Sequence, residues 1–225
     1  MMLKSENKTK WDKLYDPQEK SWFAKLEETA INLYFSRIFA KAILSVANVK
    51  NGKIFEPGCG GGMTCAKFAM QGFDITVMDL SKNPLQKAVS LFRELSLDCK
   101  FTLGDLFNIP LKDEQFDIVF NQGVMEHFRL ASLDASLGVK EMLRVLKKNG
   151  TLIIFVPAYF SPLFFVYKFF KLFKLVDKYW PYTDQDFLHK HELYEIMERG
   201  GCKKIVVKRL WSSLFFSLIG FCKKD

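Results

Sequence analysis

The spacing of the hydrophobic positions changes several times along the chain, and each change predicts a different element. From Ser21 to Ala47 apolar residues recur at the helical period, and Asn51-Gly52 closes that region. Beyond it, short apolar runs alternate with helical patterns. The predicted strands are Lys53–Glu56, Asp74–Met78, Lys100–Leu103, Phe116–Asn121 and Thr151–Val156, and the predicted helices are Met63–Gln71, a segment from Ser81 to about Leu95, and Asp134–Leu146. This alternation predicts an α/β fold with a parallel sheet and helices on both faces.

The last third of the chain has a different pattern. Pro157–Trp180 is rich in aromatic residues, and Lys190–Arg199 has helical spacing that ends at Gly200-Gly201. Two further strands are predicted at Lys203–Leu210 and Leu214–Phe221. Because the chain has no internal repeat and no low-complexity linker, it is predicted to form a single domain.

Composition narrows the class of protein. At 225 residues and 49% hydrophobic content, the chain can bury a sizeable core. The net charge is +8, but the Lys and Arg residues are scattered without a long basic run, so we expect no nucleic-acid partner. Five cysteines without a CxxC pair favour reduced thiols, and the polar start MMLKSENKTK predicts no secretory signal. We therefore expect a cytoplasmic location.

The stretch Ile54–Cys65 carries the first chemical signal. An apolar pair runs into Glu56, then into a loop with four glycines, and then into a helical pattern. A strand, a glycine turn and a helix suit a nucleotide-like ligand, because glycine lets the backbone approach it and the helix presents free N–H groups. The alternative is a tight turn that binds nothing. A dinucleotide fingerprint would need glycine at position 63, where the chain has Met63, and this disfavours a nicotinamide cofactor.

Acidic and amide side chains follow the next predicted strands. Asp79 ends the second strand at a spacing from Glu56 that suits hydrogen bonds to a ribose diol. Asp105 ends the third strand, and Asn121 ends the fourth. The carboxyl ends of parallel strands meet at one edge of a sheet, where ligands bind in open α/β folds. Together these positions predict a ligand site, although each acid alone is more often a cap or a solvated charge.

Five segments in order resemble one known family. They are EPGCGGG at 56–62, VMDLS at 77–81, GDLFNIPL at 104–111, FDIVFNQGVMEHF at 116–128 and LKKNGTLIIFVP at 146–157. The chain resembles the class I S-adenosylmethionine-dependent methyltransferases that act on small molecules, of the ubiquinone and menaquinone methyltransferase type. The resemblance implies a Rossmann-like, seven-stranded, mostly parallel sheet with helices on both faces and an antiparallel C-terminal strand pair.

The resemblance also implies S-adenosylmethionine as the cofactor, with a predicted contact for each motif residue. Glu56 would anchor the methionine end, through its ammonium group or through loop water. Gly58 and Gly60 would admit the cofactor backbone. Cys59 lies between them in the same predicted binding loop, where we expect it to pack as a small side chain rather than act as a nucleophile.

The remaining cofactor contacts are implied at the next three strand ends. Asp79 would bind the ribose hydroxyls, and Leu80 would lie against the adenine. Asp105 and Leu106 would contact the adenine edge. Asn121 would line the methionine portion near the acceptor.

The pair Glu126-His127 allows more than one interpretation. His127 is the candidate catalytic residue, a general base for a hydroxyl acceptor, and the alternative is that it fixes its loop by a backbone hydrogen bond. Some quinone-pathway O-methyltransferases that resemble this segment hold a metal with a further glutamate, three residues before the pair. This chain has Gly123 there, and we predict no metal. His189 and His191 are predicted to point apart on a helix and to hold no metal either.

The aromatic segment at 163–178 is predicted to be a basic amphipathic helix, too short and too charged to span a bilayer. Lys168, Lys171, Lys174 and Lys178 fall within an arc of roughly 120°, and the rest of the wheel is apolar. Three interpretations stay open: a lid over the acceptor site, a contact with an anionic membrane, and a core or dimer contact. The first two favour an apolar or amphiphilic acceptor, and the second places the protein peripherally at the inner membrane surface.

The prediction as a whole is one methyltransferase domain over residues 1–225. It comprises a helical cap at 1–50, a cofactor-binding core at 51–157 and an aromatic substrate-side insertion at 158–190. The predicted activity is methyl transfer to a small, hydrophobic or lipid-like acceptor, and the oligomeric state is left open. The alternative hypothesis is a catalytically silent relative that binds the cofactor or a partner, since the glycine loop would look the same in both.

Overall fold

One sheet of seven strands forms the centre of the molecule in the computed structural model, which describes residues 22–175, 186–214 and 216–225. The strands are β1 (Lys53–Pro57), β2 (Asp74–Asp79), β3 (Lys100–Leu103), β4 (Phe116–Gln122), β5 (Leu146–Pro157), β6 (Val206–Arg209) and β7 (Ser217–Lys223). The helices are α1 (Trp22–Ala47), α2 (Met63–Ala69), α3 (Lys82–Glu94), α4 (Glu126–Leu130), α5 (Ala135–Val145), α6 (Pro162–Leu172) and α7 (Lys190–Arg199). The predicted arm at 1–20 lies outside the described residues.

The strand order is β3-β2-β1-β4-β5-β7-β6. The five strands from β3 to β5 run parallel, and β7 pairs antiparallel with both β5 and β6. The prediction of a Rossmann-like, mostly parallel sheet with an antiparallel C-terminal pair is therefore confirmed. Because β1 and β4 are neighbours, the chain leaves the sheet in opposite directions on either side of them, which opens a crevice at their carboxyl ends.

Helices cover both faces of the sheet. Helices α1, α2 and α3 bury Ile43, Phe68 and Phe92 against one face, and α5 and α7 bury Met142 and Leu193 against the other. The central strands carry apolar residues on both faces for this reason, which explains their nearly continuous hydrophobic runs. The sheet is fixed between two apolar layers, and its polar strand ends are left for the site.

Strand β5 begins earlier than the sequence predicts. Leu146 already pairs with Phe116 of β4, and the ladder resumes at Ile118 and Thr151 after a shift in register. Lys147 also forms an ion pair with Asp117, 2.8 Å between Nζ and Oδ1. The predicted turn at Asn149-Gly150 is thus an irregularity inside β5, because pairing with β4 extends the strand beyond it. The preceding helix ends at Val145, close to its prediction.

The two C-terminal strands are present, with shifted bounds. The structure has Val206–Arg209 and Ser217–Lys223 in place of 203–210 and 214–221. A 3₁₀ turn at Trp211–Ser213 joins them, and the N–H of Leu210 donates to the carbonyl of Ser217. Pairing with β5 sets the range of β7, since every residue from 217 to 223 has a partner on that strand.

The aromatic helix is shorter than predicted. The side chain of Ser161 caps its start by accepting a hydrogen bond from the N–H of Phe164 at 3.1 Å. The helix ends at Leu172, and Lys174 has a left-handed backbone with φ of 53°. The prediction that four lysines share one arc of a continuous helix is therefore wrong, because Lys174 lies past the end of the helix. Lys178 lies outside the described residues.

The packing of α1 on the sheet predicts a large loss of stability from one ring. Phe155 of β5 is 1% exposed, and its ring lies 4.6 Å from that of Phe39 on α1. We expect Phe155→Ala to lower the free energy of unfolding by about 3–5 kcal/mol. Phe169→Ala is the control, since Phe169 is 55% exposed on α6 and its loss should change stability by less than about 0.5 kcal/mol. Equilibrium unfolding in urea measures both, and equal effects would contradict this packing.

Candidate active site at the carboxyl edge of the sheet

The glycine loop after β1 folds across the end of β2. The N–H groups of Gly58 and Cys59 both donate to the carbonyl of Met78, at 2.7 and 3.0 Å. Gly58 has φ of 73°, and a Cβ built on it would lie 2.5 Å from Val124 Cγ2. A side chain at this position would therefore clash with the loop after β4. The glycine keeps the two loops in contact at the crevice between β1 and β4.

Asp79 fixes the same loop with both carboxylate oxygens. Oδ2 accepts from the N–H of Gly60 at 3.0 Å, and Oδ1 accepts from the N–H of Ser81 at 3.0 Å. The main-chain carbonyl of Asp79 accepts from the N–H of Gly104, which joins the end of β3. Leu80 follows as a half-buried residue. Asp79, the residue predicted to bind the ribose, thus lies beside the glycine loop, which is predicted to bind the same cofactor.

The predicted adenine segment divides into two parts. Asp105 lies just beyond the end of β3, where Oδ1 accepts from the N–H of Phe107 at 2.9 Å. Leu106 is buried in the core, and a Cβ built on Gly138 of α5 would lie 3.1 Å from its side chain. Phe107 contacts Phe128 of α4, with ring centroids 4.8 Å apart. Asp105 is therefore on the edge of the site, whereas Leu106 supports the segment from beneath.

Glu56 and Asn121 lie fully buried where β1 and β4 end. Asn121 Nδ2 donates to the carbonyl of Pro57 at 2.6 Å, and its Oδ1 has no donor among the described residues. Neither carboxyl oxygen of Glu56 accepts a hydrogen bond of normal geometry there. Burial raises the pKa of Glu56 to about 8; the Cys65 thiol opposes the rise, and the charge of Asp79 adds to it. A buried polar group without a partner is costly, which points to a missing donor.

The unpaired atoms fit the cofactor implied by the sequence. The free atoms of Glu56 and Asn121 can act only as acceptors when Glu56 is ionised, and S-adenosylmethionine presents an ammonium and a sulfonium cation. A cation beside Glu56 would favour the ionised carboxylate and remove the desolvation cost. Glu56 and Asn121 would thus hold the methionine end of the cofactor.

The cysteines of the loop are packed thiols. Cys59 is buried, and burial raises its pKa well above the ordinary value, with the charge of Asp79 adding to the effect. The pKa of Cys65, on α2, is raised for the same first reason. Reactive cysteines need the opposite shift. The arrangement agrees with a packing role for Cys59.

Helix α4 places Glu126 and His127 beyond the end of β4. Glu126 is 1% exposed, and its Oε2 has no hydrogen-bond partner among the described residues. Burial raises the pKa of Glu126 to about 8, and the charge of Asp186 adds to the rise. His127 is half-buried, and its main-chain N–H donates to the carbonyl of Val124 at 3.1 Å. A catalytic role for His127 stays a prediction.

Potential metal ligands are sparse in the described ranges. Within residues 22–175, 186–214 and 216–225, no three His, Cys, Asp or Glu residues group to hold an ion. The prediction that His189 and His191 point apart is wrong, since their rings stack with centroids 5.4 Å apart. The reason is that His189 is the N-cap of α7, not a residue inside the helix.

Sequence reasoning missed the burial of Glu126 and a polar pair near the loop. Thr64 of α2 and Gln122 of β4 exchange hydrogen bonds at 3.1 and 3.2 Å, which fastens the helix after the glycine loop to the fourth strand. Gln122 could have been identified from the sequence, because it is a polar residue directly after Asn121. No local pattern indicates the burial of Glu126, because α4 is too short to show a helical period.

These features allow a comparison with known proteins. A glycine loop held by the acid of the second strand, with unpaired acceptors beside it, occurs here in a 3-2-1-4-5-7-6 sheet. The arrangement is similar to that of the class I S-adenosylmethionine-dependent methyltransferases. Residues 55–154 match the family model described as "Methyltransferase domain", so the match covers β1 to β5.

Comparison with curated proteins finds similarity to methyltransferases. The chain is 31% identical over 126 residues to the uncharacterized methyltransferase YodH of Bacillus subtilis, which covers 56% of this chain and 52% of that protein. It is 28% identical over 118 residues to the ubiquinone biosynthesis O-methyltransferase of Bartonella quintana, covering 52% and 45%. It is 26% identical over 148 residues to norajmaline N-methyltransferase of Rauvolfia serpentina, covering 64% and 49%. The chain spans about half the length of these relatives.

Solved structures share the fold over most of the chain. A SAM-dependent methyltransferase from Aquifex aeolicus aligns with a TM-score of 0.62 at 16% identity, covering 83% of this chain and 89% of that one. The cyclase SpnF aligns equally well, with a TM-score of 0.62 at 16% identity over 84% and 80%. At this identity the likeness concerns the fold, and the second structure carries the name of a different activity.

The raised pKa of Glu56 predicts how stability depends on pH. From about pH 4.5, its ordinary pKa, to about pH 8, the unfolded chain ionises Glu56 while the folded chain keeps the proton. The folded state then binds more protons, so the free energy of unfolding falls as the pH rises through this window. We expect Glu56→Gln to flatten that fall by up to about 1.4 kcal/mol per pH unit.

Urea unfolding of the cofactor-free protein across this window measures the effect. Glu94→Gln is the control, because Glu94 is an exposed residue at the end of α3 and its replacement should leave the slope unchanged. An unchanged slope in Glu56→Gln would show that Glu56 titrates as an ordinary surface carboxyl.

Proposed function

We propose that this protein transfers the methyl group of S-adenosylmethionine to a small, hydrophobic or amphiphilic acceptor. The observation that carries the proposal is the pair of buried, unpaired acceptors Glu56 and Asn121, next to a glycine loop held by Asp79. Methyl transfer between two held reactants depends mainly on proximity and orientation, so the site needs no covalent intermediate. This geometry supports cofactor binding and the alignment of the two reactants.

The proposed cofactor contacts follow the three strand ends. Glu56 and Asn121 hold the methionine end, and the half-buried Asp79 holds the ribose hydroxyls with Leu80 nearby. Asp105 lies at the adenine end, and the loop at 58–60 supplies backbone N–H groups and room. Because Asp79 also accepts hydrogen bonds from Gly60 and Ser81, its loss would disturb both the loop and the ligand.

Titration with S-adenosylmethionine tests the cofactor contacts. We expect Asp79→Ala to weaken binding at least about tenfold, since hydrogen bonds to a charged group are among the stronger ones. Asp74→Ala is the matched control at the opposite end of β2, where Asp74 forms an exposed ion pair with Lys100 at 3.2 Å. Isothermal titration calorimetry measures all three proteins. No binding by the native protein, or undiminished binding by Asp79→Ala, would refute the assignment.

The apolar character of the acceptor is supported by an aromatic cluster after β5. Phe164 and Phe187 are buried against each other, with ring centroids 5.5 Å apart, and Tyr159 lies 4.4 Å from Phe164. The cluster follows the carboxyl end of β5. We assign the methyl acceptor to this side of the crevice, called the acceptor half, and the cofactor to the side of Glu56, Asp79 and Asn121, called the cofactor half. Among the relatives, one is named a ubiquinone biosynthesis O-methyltransferase and another a norajmaline N-methyltransferase. The acceptor atom is therefore left open.

A second candidate function is cofactor binding without methyl transfer. The likeness to the cyclase SpnF supports this second candidate, since that structure has the same fold but is named for a different activity. The two candidates differ in one measurement. Release of S-adenosylhomocysteine in the presence of hydroxyl, amine and carbon acceptors supports the transferase, and retained binding with no release from any of them supports the silent relative.

We also propose that the outer face of α6 contacts an anionic membrane surface. Phe165, Phe169, Leu172 and Phe173 form one exposed stripe, with Leu172 77% exposed. Lys168 borders it on the same helix, which suits anionic headgroups next to inserted rings. The opposite side of the helix packs on Phe187, so α6 has one face for the protein and one for a partner. No helix in the described ranges is both long and apolar enough to cross a bilayer.

Vesicle co-sedimentation tests the membrane contact. We expect binding to phosphatidylglycerol-containing vesicles at low salt, weaker binding at high salt, and little binding to pure phosphatidylcholine, because screening removes the attraction of the lysines. Phe169→Asp should weaken vesicle binding at least about tenfold, since it removes a ring that would insert into the membrane and adds a charge of the same sign as the anionic lipid. Leu137→Asp is the control, because Leu137 is 53% exposed on α5, away from this stripe. Equal binding by both variants would refute the membrane contact. The remaining interpretations of α6 would then be a lid over the acceptor site and a dimer contact.

A further inference from the structure

Glu126 is a buried acid that the cofactor contacts do not use. The described residues contain four buried side-chain oxygens or nitrogens without a partner, and three of them belong to Glu56 and Asn121 at the cofactor half of the crevice. The fourth is Oε2 of Glu126. The charge that acts on Glu56 is that of Asp79, whereas the charge that acts on Glu126 is that of Asp186. The two glutamates therefore lie in separate surroundings.

The position of Glu126 is on the acceptor half of the carboxyl edge. A Cβ built on Gly123 would lie 3.8 Å from Glu126 Oε1, so the carboxyl reaches back to the end of β4. The N–H of Gly123 donates to the carbonyl of Phe155 at 3.2 Å, which places this glycine against β5. Gly123 is exposed and has φ of 70°. The carboxyl is thus beside an open backbone position next to β5, the strand that leads into the aromatic cluster.

The charged neighbours of Glu126 are already engaged. Arg129, on the same short helix, forms ion pairs with Asp186 and with Glu192 of α7. Arg129 Nη1 is 2.5 Å from Glu192 Oε1. Arg129 therefore does not neutralise Glu126, which stays buried with one oxygen free. Such a group is stable only at a cost unless a donor reaches it.

We propose that Glu126 is an acceptor-positioning residue, whose free Oε2 receives a hydrogen bond from the hydroxyl or amine of the methyl acceptor. This inference rests on the proposed function and assigns the polar end of the acceptor to α4. The apolar body of the acceptor then extends toward Tyr159 and Phe164, on the segment after β5. A donor that is bound at Oε2 leaves its lone pair free to face the methyl group.

The experiment compares ligands that differ in one donor hydrogen. The protein is saturated with S-adenosylhomocysteine, and the affinities of p-octylphenol and its methyl ether are measured by calorimetry, together with p-octylaniline and its N,N-dimethyl derivative. We expect the native protein to bind at least one donor-bearing compound about tenfold more tightly than its methylated partner, the size of one well-made hydrogen bond. Equal affinity within both pairs would overturn the proposal.

Three variants assign that preference to Glu126. Glu126→Met replaces the acid by an apolar side chain of similar length and should remove the preference, whereas Glu126→Gln still accepts a hydrogen bond and should keep most of it. Glu195→Met, at an exposed position on α7, should behave as the native protein. A preference that Glu126→Met retains would overturn the proposal. Binding of S-adenosylhomocysteine should be unchanged in all variants, and its absence in the native protein would instead refute the proposed function.

A pH series separates positioning from a merely structural role, and decides the question if Glu126→Met does not fold. From about pH 7 to about pH 9 the buried carboxyl ionises, because its pKa is about 8, and a carboxylate is the stronger acceptor. The preference of the native protein should therefore rise over this range, and that of Glu126→Gln should stay flat. Arg129 forms ion pairs with Asp186 and Glu192, so its charge is engaged away from Glu126. Equal profiles for both proteins would overturn the proposal.

Discussion

The contact between Asp79 and the glycine loop is the constraint on which the site depends. One carboxylate joins the N–H of Gly60 to that of Ser81, and the carbonyl next to it holds Gly104. Three strand ends are thereby fixed relative to one another by a single residue. The loop could not take this path with a side chain at position 58, where Val124 lies too close. A short run of backbone hydrogen bonds thus converts the edge of a sheet into a defined cradle.

The cradle is completed by polar groups that lower the stability of the protein alone. Glu56 and Glu126 are both buried, and burial raises the pKa of each to about 8. Unpaired buried acceptors are expected at sites where a ligand supplies the donor, because binding then relieves a cost that folding imposed. The two acids lie in different surroundings, since the charge of Asp79 acts on Glu56 and the charge of Asp186 acts on Glu126.

Helix α6 has one side buried in the protein and another side exposed to solvent. Its inner residues, such as Phe164, join a buried aromatic cluster, while Phe169 and Leu172 stay exposed on the other side. An exposed stripe of this kind is unusual on a monomeric surface unless a partner or a membrane covers it. The cluster and the stripe both lie on the segment that follows β5.

Local sequence patterns predict the succession of strands and helices along the chain, the glycine loop and the acids at the strand ends. These features follow from local spacing, since hydrophobic period and glycine position act over a few residues. The start of β5 at Leu146 instead depends on tertiary contacts, because pairing with β4 outweighs the turn preference of Asn149-Gly150. The burial of Glu126 likewise depends on tertiary contacts, since its surroundings include Asp186 from a distant part of the chain. Burial and strand pairing depend on contacts between remote segments, and no local pattern records them.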